Sequence, residues 1–158
     1  VVCPGGVYGP VLGRDYSFSL TLIERMLKGA MPGLPRIGFD IVDVRDLADL
    51  HLRAMTDPAA AGERFIGVAG FRWFKEIAET LRRELGPQAR KVPTREIPGF
   101  VVQAMALVDA EVRSIAKDVG KRRENTSAKA RERLGWSPRT PEESVVDCAR
   151  SLIAEGVV

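Results

Sequence analysis

At 158 residues, 45% hydrophobic and 28% charged, the chain has the length and composition of one globular domain with a buried core. No apolar stretch approaches the length of a bilayer span and no charged-then-apolar leader is visible, so the expected setting is the cytoplasm, with neither membrane nor signal peptide involved. A net charge of +3 and a pI near 9.1 reflect a small excess of Lys and Arg; the densest basic run, Lys121 to Arg123, is flanked by Asp118 and Glu124 and contains no aromatic residue, which argues for a solvated loop and against a nucleic-acid surface.

The chain opens VVCPGGVYGP, an apolar run broken by Pro-Gly-Gly and again by Gly-Pro. This reads as the end of a buried strand followed by a loop. A strand that starts on the first residue, without methionine, looks cut from something longer. From Ser17 to Lys28 the residues Phe18, Leu22 and Met26 recur at helical spacing, with Ile23 and Leu27 beside them, and Gly29 closes the helix. Met31 to Arg36 is a stiff loop with two prolines, and Ile37 to Val44 reads as a strand. Asp43 is placed to cap the helix that follows, which ends at the Thr56-Asp57-Pro58 break. Glu63 to Gly70 reads as a further strand. Phe74, Ile77, Ala78, Leu81 and Leu85 form an apolar helical stripe closed by Gly86-Pro87.

KVPTREIP reads as a short extended piece, and a long helix is expected across residues 98–117. A short helix between Asn125 and Leu134 stops at Gly135. The last helix has a strong start signal: Thr140 as N-cap, Pro141 at the first position and Glu143 completing a capping box. Alternating strands and helices predict an α/β fold with a parallel sheet and crossover helices. Residues 1–86 form the α/β part and residues 87–158 a mostly helical region. The first strand needs a neighbour on its far side that the chain does not supply.

Several chemistries have no carrier. His51 is the one histidine, without companions for a zinc site. There is no GxSxG elbow, Walker loop or GxGxxG turn. Asp40, Asp43, Asp46 and Asp49 recur every third position, but Asp43 suits a cap while Asp46 and Asp49 fall in the first turns of a helix, so a structural role is expected. Cys3 and Cys148 read as free thiols of a reducing compartment. Trp73, at a helix start, and Trp136, just after a helix end, are expected to pack.

Three segments, VVCPGGVYGP, DIVDVRDLADLHLRAM and ERLGWSPRTPEE, occur in the order found in the C-terminal half of extended short-chain dehydrogenases/reductases, which the chain resembles from end to end. That family comprises NAD(P)-dependent epimerases, dehydratases and dihydroflavonol-reductase-like enzymes, and DVRDLADLHLRAM resembles the reductase-like branch. The resemblance implies the C-terminal part of a Rossmann-type parallel sheet plus a mostly helical substrate-binding region. It also implies an NAD- or NADP-dependent oxidoreductase acting on a carbonyl or alcohol.

The family's Tyr-x-x-x-Lys pair is absent: Tyr8 and Tyr16 are the two tyrosines, and Leu12 and Leu20 stand four residues on. The resemblance implies cofactor contacts at Pro4, Gly5 and Val7, under the nicotinamide, and at Ser19 in the next helix. Cys3 stands where the family often has Asn. Candidate substrate contacts are Tyr8, Tyr16 and Phe18, with the loop from Thr94 to Phe100. The isolated chain is expected to bind dinucleotide weakly or not at all. Its expected partners are a small carbonyl or alcohol substrate and either the missing N-terminal half or a second copy at the exposed sheet edge. The alternative is a non-enzymatic ligand- or protein-binding module of the same fold.

Overall fold

A computed structural model of the chain describes residues 1–11, 13, 18–107, 110–123 and 125–158. In chain order the strands are β1 (Val2–Pro4), β2 (Gly6–Tyr8), β3 (Leu34–Pro35), β4 (Gly38–Asp43), β5 (Phe65–Gly67), β6 (Gly70–Trp73) and β7 (Glu96–Ile97). The helices are α1 (Phe18–Lys28), α2 (Val44–Thr56), α3 (Phe74–Leu85), α4 (Gly99–Met105), α5 (Ala110–Ala116), α6 (Ala128–Leu134) and α7 (Pro141–Ala154). None is long and apolar enough to cross a membrane among the described residues.

The centre is the sheet β2-β4-β6, and alternation along β4 explains its two-sided burial. Ile41 faces a core built from α1, α3 and α7, with Ile23, Met26, Ile77, Leu81, Cys148 and Leu152 at 0–1% exposure. Its neighbour Val42 faces a second core with Leu50, Phe65, Leu134 and Trp136, supplied by α2, β5 and the end of α6. Successive strand residues point to opposite faces, so a strand apolar at both positions must be covered on both sides. The result is an α/β fold with the sheet between helical layers. Although α6 and α7 belong to residues 87–158, they contribute to the cores that residues 1–86 build.

Four expected elements differ in detail. The strand expected over Glu63 to Gly70 is two strands. Ala69 N–H donates to Ile41 O at 2.7 Å, which transfers the chain from the β1-β5 pair to the central sheet. With no crossover helix between β5 and β6, β6 enters that sheet antiparallel to β4, whereas β1-β5, β2-β4 and β3-β7 are parallel. The helix expected over 98–117 is broken after Met105. Arg113 of α5 donates to Ala106 O and Leu107 O at 2.8 and 3.0 Å, satisfying carbonyls that a continuous helix would have used internally. Both helices feed one small cluster of Val102, Ala106 and Ala116, so their apolar stripes read as one.

The Asn125 to Leu134 helix starts at Ala128, because Asn125 is pinned to β4 instead. The proline loop before β4 contains β3, whose Leu34 N–H donates to Arg95 O at 2.8 Å. The Thr140 capping box is present: its hydroxyl accepts from Glu143 N–H, and the Glu143 carboxylate accepts from Thr140 N–H at 2.8 Å. Trp136, 2% exposed, packs in the second core and donates Nε1–H to Asp46 O at 2.8 Å. Trp73 packs edge-on to Phe71, with the Arg36 guanidinium 5.6 Å from its ring.

Candidate functional site

The opening segment is one extended stretch that serves two sheets. β1 pairs with β5, and this ladder ends with Gly5 N–H donating to Gly67 O at 3.2 Å. One residue later Gly6 pairs with Ile41 of β4. The change of partner falls at the carboxyl ends of the parallel strands β1 and β5. A crevice at such a switch is the usual ligand position in α/β proteins.

Because Val1 O and Gly5 N–H both face β5, the alternation turns the Pro4 carbonyl toward the opposite edge. Pro4 itself is exposed, and Val7 and Ser19 are half-buried. The Pro4 carbonyl has no strand partner among the described residues, and the Pro4 ring is exposed beside it. Gly5 has a different reason to be glycine. A Cβ there would lie 2.6 Å from Asp40 O and 3.1 Å from Val68 Cγ1, so the space is filled by the fold itself. At Gly6 the equivalent space is taken by the Phe39 and Tyr8 rings, both 3.2 Å away.

Of the three residues expected at the substrate, Tyr8 alone has a described side chain. Tyr8 is 1% exposed, stacked parallel to Phe39 at 5.9 Å, and belongs to the main core. Burial pushes its hydroxyl pKa far above the ordinary tyrosine value, with the neighbouring Cys148 adding to the shift. This is a correction to the expectation: a ring sealed in the core has no face left for a ligand. Tyr16 lies outside the described residues, and Phe18 is the first residue of α1, its side chain likewise outside the description. In the Thr94 to Phe100 loop, Thr94 lines a cavity of about 250 Å3 between α3 and β3. Phe100 stands 76% exposed on α4.

Asp43 does more than cap α2. Its carboxylate, fully buried, accepts from Arg45 N–H at 2.9 Å, from Arg45 Nε and Nη2 at 2.8 Å each, and from Arg139 Nη1 at 3.1 Å. Arg139 also reaches Asp46, and Arg45 reaches Asp147 on α7. Burial alone would raise the Asp43 pKa, but the hydrogen bonds from Arg45 and the charges of Arg45 and Arg139 outweigh it and hold the carboxyl below its ordinary value. Cys148 beside this network is pushed up to about 12, chiefly by burial. Asp49 makes an exposed pair with Arg53, and His51 is exposed with Nδ1 2.8 Å from Leu47 O.

A polar cleft of about 450 Å3 lies beside the switch, lined by Val68, Ala69, Gly70, Asn125, Thr126, Ser127 and Arg131. Val68 is also the side chain that a Cβ at Gly5 would meet, 3.1 Å from its Cγ1, so the cleft adjoins the switch. Behind Asn125 stands Asp40, 5% exposed, whose Oδ2 accepts from Asn125 N–H and Nδ2 at 3.0 and 2.7 Å. No sequence signal marks this cleft. Its walls come from a strand link and from the segment read as a short helix between Asn125 and Leu134, joined by contacts some eighty-five residues apart in sequence.

No family model matches the chain. Among curated proteins it is 40% identical over 78 residues to a ketoreductase, azaE, of Aspergillus niger, a match covering 49% of this chain and 22% of that protein. It is 32% identical over 84 residues to tetraketide alpha-pyrone reductase 2 of Arabidopsis thaliana, covering 53% and 26% respectively. Among solved structures, yeast methylglyoxal/isovaleraldehyde reductase Gre2, complexed with NADPH, superposes with a TM-score of 0.72 at 20% identity, over 99% of this chain and 47% of that one. The chain therefore spans less than half the length of these proteins. Over about half its length the chain is similar in sequence to these two reductases, and over nearly all of its length it shares the fold of Gre2.

Proposed function

We propose that the chain is the nicotinamide-end and substrate-binding portion, C-terminal in position, of a cytoplasmic NAD(P)-dependent oxidoreductase acting on a carbonyl or alcohol. The observation that carries this is the partner switch at Pro4 to Gly6, at the carboxyl ends of β1 and β5, with the Pro4 carbonyl and ring left free. The two curated relatives are named as reductases and Gre2 was solved with NADPH, which supports a nicotinamide cofactor here.

A bound nicotinamide supplies or takes the hydride. Pro4 C=O would accept from its carboxamide, Val7 and the Pro4 ring would give it an apolar support, and Ser19 would offer a hydroxyl. Proton transfer to the carbonyl oxygen needs a general acid, and the Tyr-x-x-x-Lys pair that supplies it in the resembled family is absent from this sequence.

The test is to extend the reading frame upstream of the Val1 codon and assay both forms. The longer frame should contain a Tyr-x-x-x-Lys pair and a glycine-rich turn, and its product should oxidise NADPH or NADH with a carbonyl compound. The 158-residue chain alone should not turn over. Robust reductase activity in that chain would overturn the assignment, and a start codon close to Val1 would favour the binding module.

The free edge of β1 supports a companion proposal. In its pair with β5 it leaves the Val2 amide and carbonyl and the Pro4 carbonyl unpaired by strand among the described residues. An open edge is a template for another strand. The isolated chain should self-associate in sedimentation velocity, and adding the N-terminal half should suppress this; a stable monomer at all concentrations would refute it.

A further inference from the structure

We infer that the cleft between the β5–β6 link and α6 is an anion site, and that the substrate of the longer protein is a carbonyl compound carrying a carboxylate or phosphate group. The word substrate rests on the reductase reading; the anion site stands on the cleft alone. Its wall residue Arg131 is held at the root, Nε donating at 3.1 Å to Ser127 Oγ, on a residue only 6% exposed. Its two terminal nitrogens have no carboxylate or carbonyl partner among the described residues, whereas Lys129 and Arg133 of the same helix both pair with Glu63. A guanidinium fixed at one nitrogen and open at two matches the paired oxygens of a carboxylate or phosphate.

The other cleft groups complete the fit. Thr126 Oγ1 accepts from Ala128 N–H at 3.1 Å, which leaves its own hydrogen free to donate. Asn125 has its Nδ2 committed to Asp40, which fixes the amide so that Oδ1 is the free acceptor. Among the described residues, Asp40 Oδ1 is buried without a hydrogen-bond partner. The Asp40 carboxylate thus orients the Asn125 amide through Oδ2 alone. The Asp40 charge opposes an anion, and the Arg131 guanidinium in the cleft wall answers it. A cationic fork, a hydroxyl donor and an amide acceptor suit an anionic group with a hydroxyl nearby, such as a hydroxy acid or a monoprotonated phosphate. Val68, shared with the Gly5 switch, sets this group next to the cofactor segment.

The 15N-labelled chain is titrated separately with inorganic phosphate, with 2-oxobutyrate and with chloride at matched ionic strength, following the amides of Ala69, Gly70 and Ser127. Phosphate or 2-oxobutyrate should give saturating shifts, and whichever binds tighter identifies the anion. Arg131→Gln should weaken that binding about tenfold or more, as expected for a lost charge-assisted hydrogen bond. Arg131→Lys should fall between, and Arg133→Gln should leave it unchanged. Shifts that stay linear and equal for all three ions, or a wild-type affinity in Arg131→Gln, overturn the inference. No nicotinamide is present in this titration. Failure here leaves the reductase reading standing with an uncharged substrate, and failure of that reading leaves a saturating titration intact.

Discussion

Replacing Asp43 by alanine is expected to cost about 2–4 kcal/mol of stability, from a lost N-cap of about 1 kcal/mol and lost hydrogen bonds to charged groups. The estimate is not larger because Arg45 and Arg139, 42% and 33% exposed, can turn to water once the carboxylate is gone. Against a total of about 5–15 kcal/mol for a domain this is a large fraction. Asp43→Asn should recover about 1 kcal/mol, since the amide oxygen can still accept from Arg45 N–H. Denaturant unfolding checks both variants. An alanine variant within about 0.5 kcal/mol of wild type would mean that the network merely occupies its place.

The same site sets an acid limit. The folded pKa of Asp43 is depressed below its unfolded value, as is that of Glu142 through its bond from Arg72. A depressed carboxyl contributes stability that is fully present above the unfolded pKa of about 4, and is lost as pH falls through the folded value. The wild type should therefore lose stability on acidification below about pH 4, and Asp43→Ala should lose less over the same interval.

How much of this was legible in the sequence depends on how local each cause is. Thr140, Pro141 and Glu143 sit within one turn, and their capping box appears as read. The stripe of α3 and the cap at Asp43 are equally local, and both are present. The break between α4 and α5 was not legible, because it depends on one arginine reaching back to Ala106 and Leu107 while the apolar period runs on. β6 was missed for a related reason: a two-residue link with no crossover moves the chain to a different sheet.

The candidate site follows the same rule. Pro4 and Gly5 were singled out by likeness to a family, and the structure places both at the switch between the two sheets. Tyr8 was misplaced because an aromatic beside a glycine turn reads alike whether it faces the core or a ligand. The cleft was not legible at all, since Asp40 and Asn125 meet only through the fold.

Gly5→Ala is expected to cost about 1–3 kcal/mol, the usual penalty for forcing a methyl into filled space. Its φ is not in the left-handed region, so the penalty is steric and not conformational. The nearest atoms are Asp40 O at 2.6 Å and Asp40 C at 3.0 Å, backbone of a central strand that cannot rotate away as a side chain would. Relief must come from moving β4 or the switch itself, and either displaces Pro4 from β5. In the longer reductase proposed above, stability and NADPH affinity should therefore fall together.

Pro4→Ala separates the two effects. Pro4 is exposed, so its loss should change stability by no more than about 0.5 kcal/mol while still weakening NADPH binding. Wild-type stability in Gly5→Ala would show that the switch is soft enough to absorb a methyl. Undiminished NADPH affinity in a stable Pro4→Ala would remove the Pro4 ring from the proposed cofactor site.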